Sequence, residues 1–403
     1  MSVTNVTESI MYLGVDDKTL DLFESQYVIP EGVSYNSYMI KDRKIAVMDT
    51  VDNRATDWWF ENVEEALDGK APDYLIVSHM EPDHAANIQR FLTKYPETVI
   101  VASAKAWAMM PQFFDMDIPK SQQIIVSEAD TLKLGNHTLQ FFMAPMVHWP
   151  EVMVTYEQTE KILFSADGFG KFGALNDKIF NKGEEDAAKW TDEARRYFIN
   201  IVGKYGPSVQ ALLKKASGLE IEKIAPLHGP VLIDNLGYYI DKYSKWSSYT
   251  PEEEGVVIAY ASIHGNTAKA AREMSDILKK LAREKGKSIA VKVYDLARCD
   301  QAAAVADAYR YDRLVLAGIT YDGGLMPCME DFLYHLKMKN YQNRKVGIIE
   351  NGSWGPIAGK LMTDYLAAMK NIQICDKKIT IKSAMNAENK QEMTELAEVL
   401  VIK

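Results

Sequence analysis

Apolar runs and helically spaced apolar residues follow one another irregularly over the first 247 residues of the chain. Short runs rich in Val, Ile and Phe predict β-strands, whereas apolar residues three and four apart predict helices. The predicted strands are Lys44–Thr50, Tyr74–His79, Thr98–Ser103, Thr138–Ala144 and Lys161–Ala166. The predicted helices are Ala55–Asp68, Ala85–Lys94 and Glu184–Val202. This order predicts a mixed domain of strands and helices.

From residue 256 onward, strands and helices alternate regularly, and five such units predict a doubly wound parallel sheet with right-handed crossovers. The polar segment 247–255, with Pro251 and three glutamates, separates the two patterns and is typical of a linker. We therefore expect two domains, residues 1–250 and 251–403. The predicted pairs are Val256–Ala261 with Asn266–Glu284, Ser288–Leu296 with Gln301–Tyr309, Arg313–Gly318 with Met329–Lys339, Lys345–Glu350 with Ile357–Lys370, and Ile379–Ala384 with Ala387–Val401.

Composition narrows the class of protein. The formal net charge of −10 over 403 residues argues against binding nucleic acid through its phosphates. No run of about 18 apolar residues predicts a membrane-spanning helix, and the N-terminal residues do not resemble a signal peptide, so we expect a cytoplasmic protein. The three cysteines form no Cys-x-x-Cys pair, so any metal must be held by histidines and carboxylates.

Four potential metal ligands lie within one short segment, residues 79–84. His79, Glu81, Asp83 and His84 directly follow the apolar run Tyr74–Val77. A strand that ends in such a loop is where α/β folds place their chemistry. Alternating residues of an extended segment face the same side, so the side chains at 79, 81 and 83 can converge.

Three further candidates, His148, Asp167 and His228, each follow another strand-like run. Alone, each would be interpreted as a surface or capping residue, because Asp in particular caps turns and helices readily. Together with the first segment they make four imidazoles and three carboxylates, enough for two metals with one bridging carboxylate. His137 and His335 match no motif, and we expect them to be structural or surface residues.

Loops after three strands of the second half carry small, hydroxyl and amide residues. The first loop precedes a long helix, and exposed backbone N–H groups at a helix N-terminus favour an anion. A Gly-Asn-Thr helix start is also common as a plain N-cap. The candidate binding residues are Ser262, His264, Gly265, Asn266 and Thr267 in the first loop, Thr320, Tyr321, Asp322 and Gly323 in the second, and Asn351, Gly352, Ser353, Trp354 and Gly355 in the third.

These motifs resemble those of a known family. Residues 1 to 247 resemble the metallo-β-lactamase superfamily, whose zinc hydrolases read His-x-His-x-Asp-His where this chain has Glu81 in place of the second histidine. The His-x-Glu-x-Asp-His variant is similar to that of the flavodiiron proteins, or A-type flavoproteins. The loop at 262–267 resembles the phosphate loop of flavodoxins. The resemblance implies a metallo-β-lactamase-like αββα sandwich followed by a flavodoxin-like doubly wound parallel sheet.

The resemblance also implies cofactors and residue roles. His79, Glu81 and His148 would hold one iron. The second iron would be held by Asp83, His84 and His228, with Asp167 bridging the two. FMN would bind the three loops of the second half, and Trp354 would cover its ring by stacking. Tyr197 is either a hydrogen-bond donor to metal-bound substrate, and so catalytic, or a half-buried helix tyrosine.

A terminal gas reductase is the function that this resemblance implies. Electrons from a reduced carrier, such as rubredoxin or another reductase, would pass through FMN to the irons, which would reduce dioxygen to water, nitric oxide to nitrous oxide, or both. A head-to-tail homodimer, possibly paired into a tetramer, would bring one subunit's FMN to the other subunit's irons. No nucleic-acid or membrane partner is expected.

Two other functions stay open at this point. The chain could be a zinc hydrolase of the same superfamily fused to a flavodoxin, although zinc has no redox chemistry to use a flavin. It could also be a non-catalytic electron carrier or gas sensor with a vestigial metal site.

Overall fold

The computed structural model describes residues 3–401, and the chain divides into two compact units. The first unit comprises the residues up to 198 together with 207–244. The second comprises residues 199–206 together with the chain from 245 onward. The expected domain limit at residues 250 and 251 remains a prediction.

The first unit is built on two large β-sheets and two small strand pairs. Its strands up to residue 126 are β1 (Thr4–Asn5), β2 (Ile10–Tyr12), β3 (Val15–Asp17), β4 (Leu22–Phe23), β5 (Tyr27–Val28), β6 (Val33–Tyr35), β7 (Tyr38–Lys41), β8 (Ile45–Met48), β9 (Tyr74–Val77), β10 (Val99–Ser103) and β11 (Gln123–Val126). The later strands are β12 (Thr131–Lys133), β13 (Thr138–Met143), β14 (Met153–Glu157), β15 (Ile162–Phe164), β16 (Phe180–Asn181), β17 (Lys223–Ala225) and β18 (Val231–Leu232).

The two large sheets pack face to face. One has the order β1-β2-β7-β8-β9-β10-β11, and the other has the order β12-β13-β14-β15-β17-β18-β16. Their shared core joins Tyr38, Met48 and Val101 of the first sheet to Phe141 and Phe164 of the second. Because successive side chains of a strand point to opposite faces, each sheet also has an outer face to cover. Helices cover these faces, which gives the predicted αββα sandwich.

The helices of this part of the chain differ from the predicted ones in number and limits. The predicted helix Ala85–Lys94 is wrong at its start, because the segment forms two helices, the first opening with Pro82, which suits a first helical turn. The predicted helix Glu184–Val202 is an α-helix to Tyr197 and a π-helix over Phe198–Val202. The α-helices are α1 (Thr56–Leu67), α2 (Pro82–Ala85), α3 (Ile88–Lys94), α4 (Ala104–Met109), α5 (Gly183–Tyr197), α6 (Gly206–Ala216) and α7 (Leu236–Ser247).

The second unit alternates strands and helices around one sheet. Its strands are β19 (Glu253–Tyr260), β20 (Ala290–Asp295), β21 (Tyr311–Tyr321), β22 (Gly324–Leu325), β23 (Arg344–Asn351) and β24 (Ile372–Ile381). Its helices are α8 (Asn266–Glu284), α9 (Gln301–Arg310), α10 (Pro327–Met338), α11 (Ala358–Ala367) and α12 (Ala387–Val401). Among residues 3–401, no helix has the length and apolar character that a membrane crossing requires.

Five parallel strands run in the order β20-β19-β21-β23-β24, while β22 pairs antiparallel with β21. In chain order the five are 2-1-3-4-5, the flavodoxin-like order of doubly wound sheets. The predicted last strand, Ile379–Ala384, is wrong in its limits, because β24 begins at Ile372. This edge strand is largely exposed and includes polar residues, so an apolar run does not mark its start. The predicted fold class is confirmed for both halves.

Candidate functional site

The segment 78–84 is anchored at the end of β9 in the first unit. The backbone N–H of Ser78 donates to Asp49 Oδ1 at 2.6 Å, which ties the segment to the end of β8. His79 is fully buried, and α2 begins directly after Glu81. The end of β9 therefore holds the first candidate ligands in a fixed position at the edge of the sandwich.

The candidate ligands converge in two groups. His79, Glu81, His148 and Asp167 place one ligand atom each within 4.8 Å of one another, and Asp83, His84 and His228 do the same. All of these side chains are buried except Glu81, which is partly exposed. The fold therefore brings all seven predicted ligands together from four separate loops.

Glu81 completes the first group. Its Oε2 lies 3.0 Å from His148 Nε2 and 3.2 Å from His79 Nε2. In the second group, His84 Nε2 lies 3.1 Å from His228 Nε2 and 3.3 Å from Asp83 Oδ2. His84 thus points into the site.

Asp167 lies between the two groups. Its Oδ2 is 3.1 Å from His148 Nε2 and 3.4 Å from His79 Nε2. Its Oδ1 is 3.1 Å from His84 Nε2 and 3.9 Å from His228 Nε2. One carboxylate therefore presents one oxygen to each group, as a bridge between two cations requires.

Partners behind the rings orient them. Glu151 Oε1 is 2.7 Å from His79 Nδ1, and the backbone carbonyl of Ser34 is 2.7 Å from His228 Nδ1. Such contacts fix which ring nitrogen faces a metal. The loop that carries His228 is held by Asn36, whose amide donates to the carbonyls of Pro226 and Gly229.

The electrostatics of the site favour bound cations. Burial alone would raise the pKa of Glu81 and Asp167, but the neighbouring imidazoles hold both pKa values well below the usual range. Conversely, burial would lower the pKa of His148, but Asp167 and Glu81 raise it to about 9. Without a cation, protons must balance these carboxylates, and a metal ion would do so instead.

Buried carboxylate oxygens at this site fit bound metal ions. Within the described residues, Asp83 Oδ1 and Asp167 Oδ1 make no hydrogen bond. Unpaired buried polar atoms are costly. Mixed imidazole and carboxylate donors suit iron in either common oxidation state. The residues present therefore fit a pair of such ions.

Tyr197 is fully buried at the end of α5, beside the second group. Its ring centroid lies 5.6 Å from that of His228, and its hydroxyl has no hydrogen-bond partner among residues 3–401. Burial, followed by the charges of Asp167 and Asp83, raises the pKa of Tyr197 well above its usual value, so the hydroxyl keeps its proton.

A separate cavity of about 450 Å³ lies in the second unit, at the carboxyl ends of its parallel strands. Gly265 is the N-cap residue directly before α8, and its φ of 88° is a conformation that favours glycine. The predicted residues Gly265 and Tyr321 do not line the cavity, and the sequence reasoning missed three that do, Ile263, Ile319 and Ser383. The lining residues are Ser262, Ile263, His264, Asn266, Thr267, Ile319, Thr320, Asp322, Gly323, Asn351, Gly352, Ser353, Trp354, Gly355 and Ser383.

This lining is mostly uncharged, with Asp322 as its one carboxylate among the described residues, and it suits a phosphate and a planar ring. No Lys or Arg of residues 3–401 lines the cavity, so an anion would depend on backbone N–H groups, hydroxyls and the N-terminus of α8. Trp354 is 94% exposed at the rim, where its ring face is free to stack. Ser383 was missed because the predicted last strand, Ile379–Ala384, included it. The strand ends at Ile381, so Ser383 lies in the loop that follows.

His137 and His335 lie outside these sites. His137 is buried with its Nδ1 3.3 Å from Glu157 Oε1. His335 lies in α10, where its Nε2 is 3.6 Å from Asp331 Oδ1.

Comparison with known proteins agrees with this architecture. Residues 33–229 match the model of the ODP family beta lactamase. The chain is 28% identical to an anaerobic nitric oxide reductase flavorubredoxin of Aeromonas hydrophila subsp. hydrophila over 92% of this chain and 74% of that protein. It is 27% identical to a protein of the same name from Vibrio vulnificus over 87% of this chain and 70% of that one.

Solved structures share the fold over the whole chain. The rubredoxin oxygen:oxidoreductase of Desulfovibrio gigas superposes with a TM-score of 0.90 and 23% identity, covering 100% of this chain and 98% of that one. The flavodiiron protein of Giardia intestinalis superposes with a TM-score of 0.89 and 24% identity, covering 100% of this chain and 97% of that one. The expected resemblance to the flavodiiron proteins is confirmed, and the relatives support an oxidoreductase.

Proposed function

We propose that this oxidoreductase reduces a small gas, dioxygen to water or nitric oxide to nitrous oxide, and that it holds two iron ions in the first unit and FMN in the second. The observation that carries the proposal is the position of Asp167, with one oxygen toward each ligand group. Glu81 in the first group adds a carboxylate where a zinc hydrolase would have a histidine.

The ligand roles follow the two groups. His79, Glu81 and His148 would hold one iron, whereas Asp83, His84 and His228 would hold the other, with Asp167 bridging. When bound, the flavin and the iron pair supply the electron-transfer chemistry. The chain supplies position, charge and protons.

Tyr197 would donate a hydrogen bond to the substrate. It is buried beside His228, its pKa is raised, and its hydroxyl has no partner among the described residues. Both gas reductions consume protons, so a protonated hydroxyl at this place can stabilise charge that develops on oxygen.

The second unit would bind FMN with the phosphate at the start of α8. Ser262, Asn266 and Thr267 line that end of the cavity. Trp354 would stack on the ring from the rim.

Relatives support both gases as substrates. The Aeromonas hydrophila relative is named as a nitric oxide reductase, and the Desulfovibrio gigas structure is named as an oxygen oxidoreductase. We propose a reduced protein carrier of the rubredoxin class as the electron donor. The zinc hydrolase alternative is not favoured, because these proteins are named as a nitric oxide reductase and an oxygen oxidoreductase.

A head-to-tail homodimer is part of the proposal. Electron transfer requires the flavin and the metal pair to be close, and a two-fold dimer creates two equivalent junctions at once. Sedimentation of the active protein should show a dimer or tetramer. A fully active monomer would contradict this arrangement.

Parallel gas-consumption assays test the proposed function. The protein, loaded with iron and FMN, is reduced under anaerobic conditions and mixed with oxygen or nitric oxide, and gas loss and product are measured. Rapid consumption of at least one gas is expected. Consumption of neither, or a protein that binds only zinc and hydrolyses an ester or lactam, would contradict the proposal.

Asp167→Ala is the matched variant. It should lose metal and gas consumption while FMN stays bound, because the flavin residues lie in the other unit. Full iron occupancy in this variant would refute the bridging role.

A further inference from the structure

An apolar cavity of about 300 Å³ lies in the first unit, apart from the flavin pocket. Helices α6 and α7 form one side of it, and strands β14, β15 and β17 form the other. Val154, Leu163 and Ile224 point into it, while their strand neighbours Met153 and Phe164 point into the sandwich core. The cavity thus lies on the outer face of the second sheet.

The inner end of the cavity lies against the turns that carry two candidate metal ligands. Val147 directly precedes His148, and Ser165 and Gly168 flank the turn that holds Asp167. Phe169 lines this end. Its ring stacks on that of Tyr243, with centroids 4.1 Å apart and an interplanar angle of 23°.

The outer end reaches the protein surface. Ile240 is 38% exposed and Ser217 is also exposed, whereas Leu163, Phe169 and Ile224 are buried. The lining therefore changes from exposed to fully buried between the helices and the metal-ligand turns. A small molecule entering between α6 and α7 would arrive behind Asp167.

The lining offers little to a polar ligand. Among the described residues that form it, none has a charged side chain. Ser165 Oγ already donates to the carbonyl of Gly168 at 2.6 Å, and Ser217 Oγ donates to that of Lys214. The Tyr243 hydroxyl interacts with the backbone of Phe169. A polar molecule would lose its hydration here without new hydrogen bonds.

We propose that this cavity binds small apolar gas molecules and supplies them to the metal centre from the side of Asp167. Apolar diatomic molecules lose little on leaving water, and dry apolar cavities bind xenon in the same way. The inference rests on the proposed function for the identity of the gas and deepens it by adding a gas-binding site. Binding itself can be tested without turnover.

Xenon is the probe for binding. Crystals of the full-length protein, pressurised with xenon, should show density between Leu163, Phe169 and Leu212. Ala216→Phe should fill the cavity and displace the xenon, because Ala216 lines it from the end of α6. Ala211→Phe, on the exposed face of the same helix and outside the lining, is the control and should leave xenon bound.

Gas kinetics test the supply role. In the reduced enzyme, Ala216→Phe should lower kcat/KM for the gas by about tenfold with little change in kcat, as expected when an access step and not the chemistry is impaired. Ile240→Trp at the exposed mouth should also lower kcat/KM, although it leaves the buried part of the cavity empty. This second variant keeps the test valid if Ala216→Phe does not fold. Ala211→Phe should match the wild type.

The outcomes separate the two proposals. Absence of xenon from the cavity, or a copurifying alkyl chain found there, would overturn the binding site. Xenon displacement with unchanged kcat/KM in both variants would overturn the supply role. Failure of the wild type to consume either gas would overturn the proposed function and with it the supply role, while the xenon result would still decide the binding site.

Discussion

Glu151 supports His79 from behind the candidate metal centre, with its Oε1 2.7 Å from His79 Nδ1 and both side chains buried. The same oxygen accepts the backbone N–H of Met80 at 2.8 Å. This pairing sets the Nε2 of His79 toward Asp167 and Glu81 and strengthens its basicity, as carboxylate–histidine pairs do at metal sites.

Glu151→Gln should therefore weaken metal binding. Loss of the carboxylate charge behind a ligand histidine typically costs 10–100-fold in metal affinity, and we expect about that loss here. Competition with a chelator measures it. Glu157→Gln is the control, because Glu157 is equally buried beside His137 but belongs to neither ligand group. Equal affinities in the two variants would contradict the role of Glu151.

Tyr197→Phe should separate catalysis from stability. The Tyr197 hydroxyl is buried without a partner among residues 3–401, so its removal should leave the thermal midpoint unchanged or slightly higher. Gas turnover should fall by roughly 100–1,000-fold, because the charge-stabilising donor is lost. Tyr341→Phe removes a buried hydroxyl of the second unit that also has no hydrogen-bond partner in the described part of the chain, and it should keep full turnover. Unimpaired turnover in Tyr197→Phe would show that Tyr197 is a core residue without a catalytic role.

Trp354→Ala should weaken FMN binding by about tenfold, which corresponds to the loss of one aromatic stacking contact. Since the side chain is 94% exposed, the thermal midpoint of the flavin-free protein should not change. Fluorescence titration with FMN measures the affinity. Trp58→Ala, which removes another exposed tryptophan, 58% exposed on α1, should leave FMN affinity intact.

Asp49 should make the metal-free protein less stable at neutral pH than at mildly acidic pH. Burial raises its pKa to about 6, although the Ser78 N–H bond opposes the shift. The folded state then holds this proton more tightly than the unfolded chain, so stability falls as the pH rises from about 4 through 6, by about 3 kcal/mol at most.

Asp49→Asn keeps an acceptor for Ser78 and has no proton to lose. Calorimetry of the metal-free variant should give a higher thermal midpoint than the wild type at pH 8 and a similar one near pH 4, where wild-type Asp49 is protonated. If the difference in thermal midpoint between the variant and the wild type were the same at every pH, Asp49 would not titrate in this range.

Much of the site could be predicted because the ligands follow strands. The apolar run Tyr74–Val77 marks the strand before His79, and parallel strands bring their following loops to one edge. Glu151 could not be found this way, since its contact with His79 spans 72 positions and nothing in the local pattern distinguishes it from a surface glutamate. Long-range partners of this kind depend on sheet register, which periodicity does not specify.

The apolar cavity could likewise not be predicted from the sequence. Helix α6 begins with Gly206 and Pro207, which suggest a break in structure although proline is favourable in a first helical turn. Without α6 and α7, the apolar side chains on the outer face of the second sheet had no predicted partners. The cavity exists only in the space that these helices leave.

The assignment of residues 199–206 to the second unit affects how the protein can be dissected. Asn200 donates to the carbonyl of Ala302, and Asn340 donates to that of Lys204, so this short segment is fastened to the flavodoxin-like half although it lies well upstream of it. A fragment ending at residue 250 would carry the segment away from those partners. A chimera with a foreign flavodoxin would need to supply matching groups, so the two halves cannot be exchanged as separate modules by a single cut.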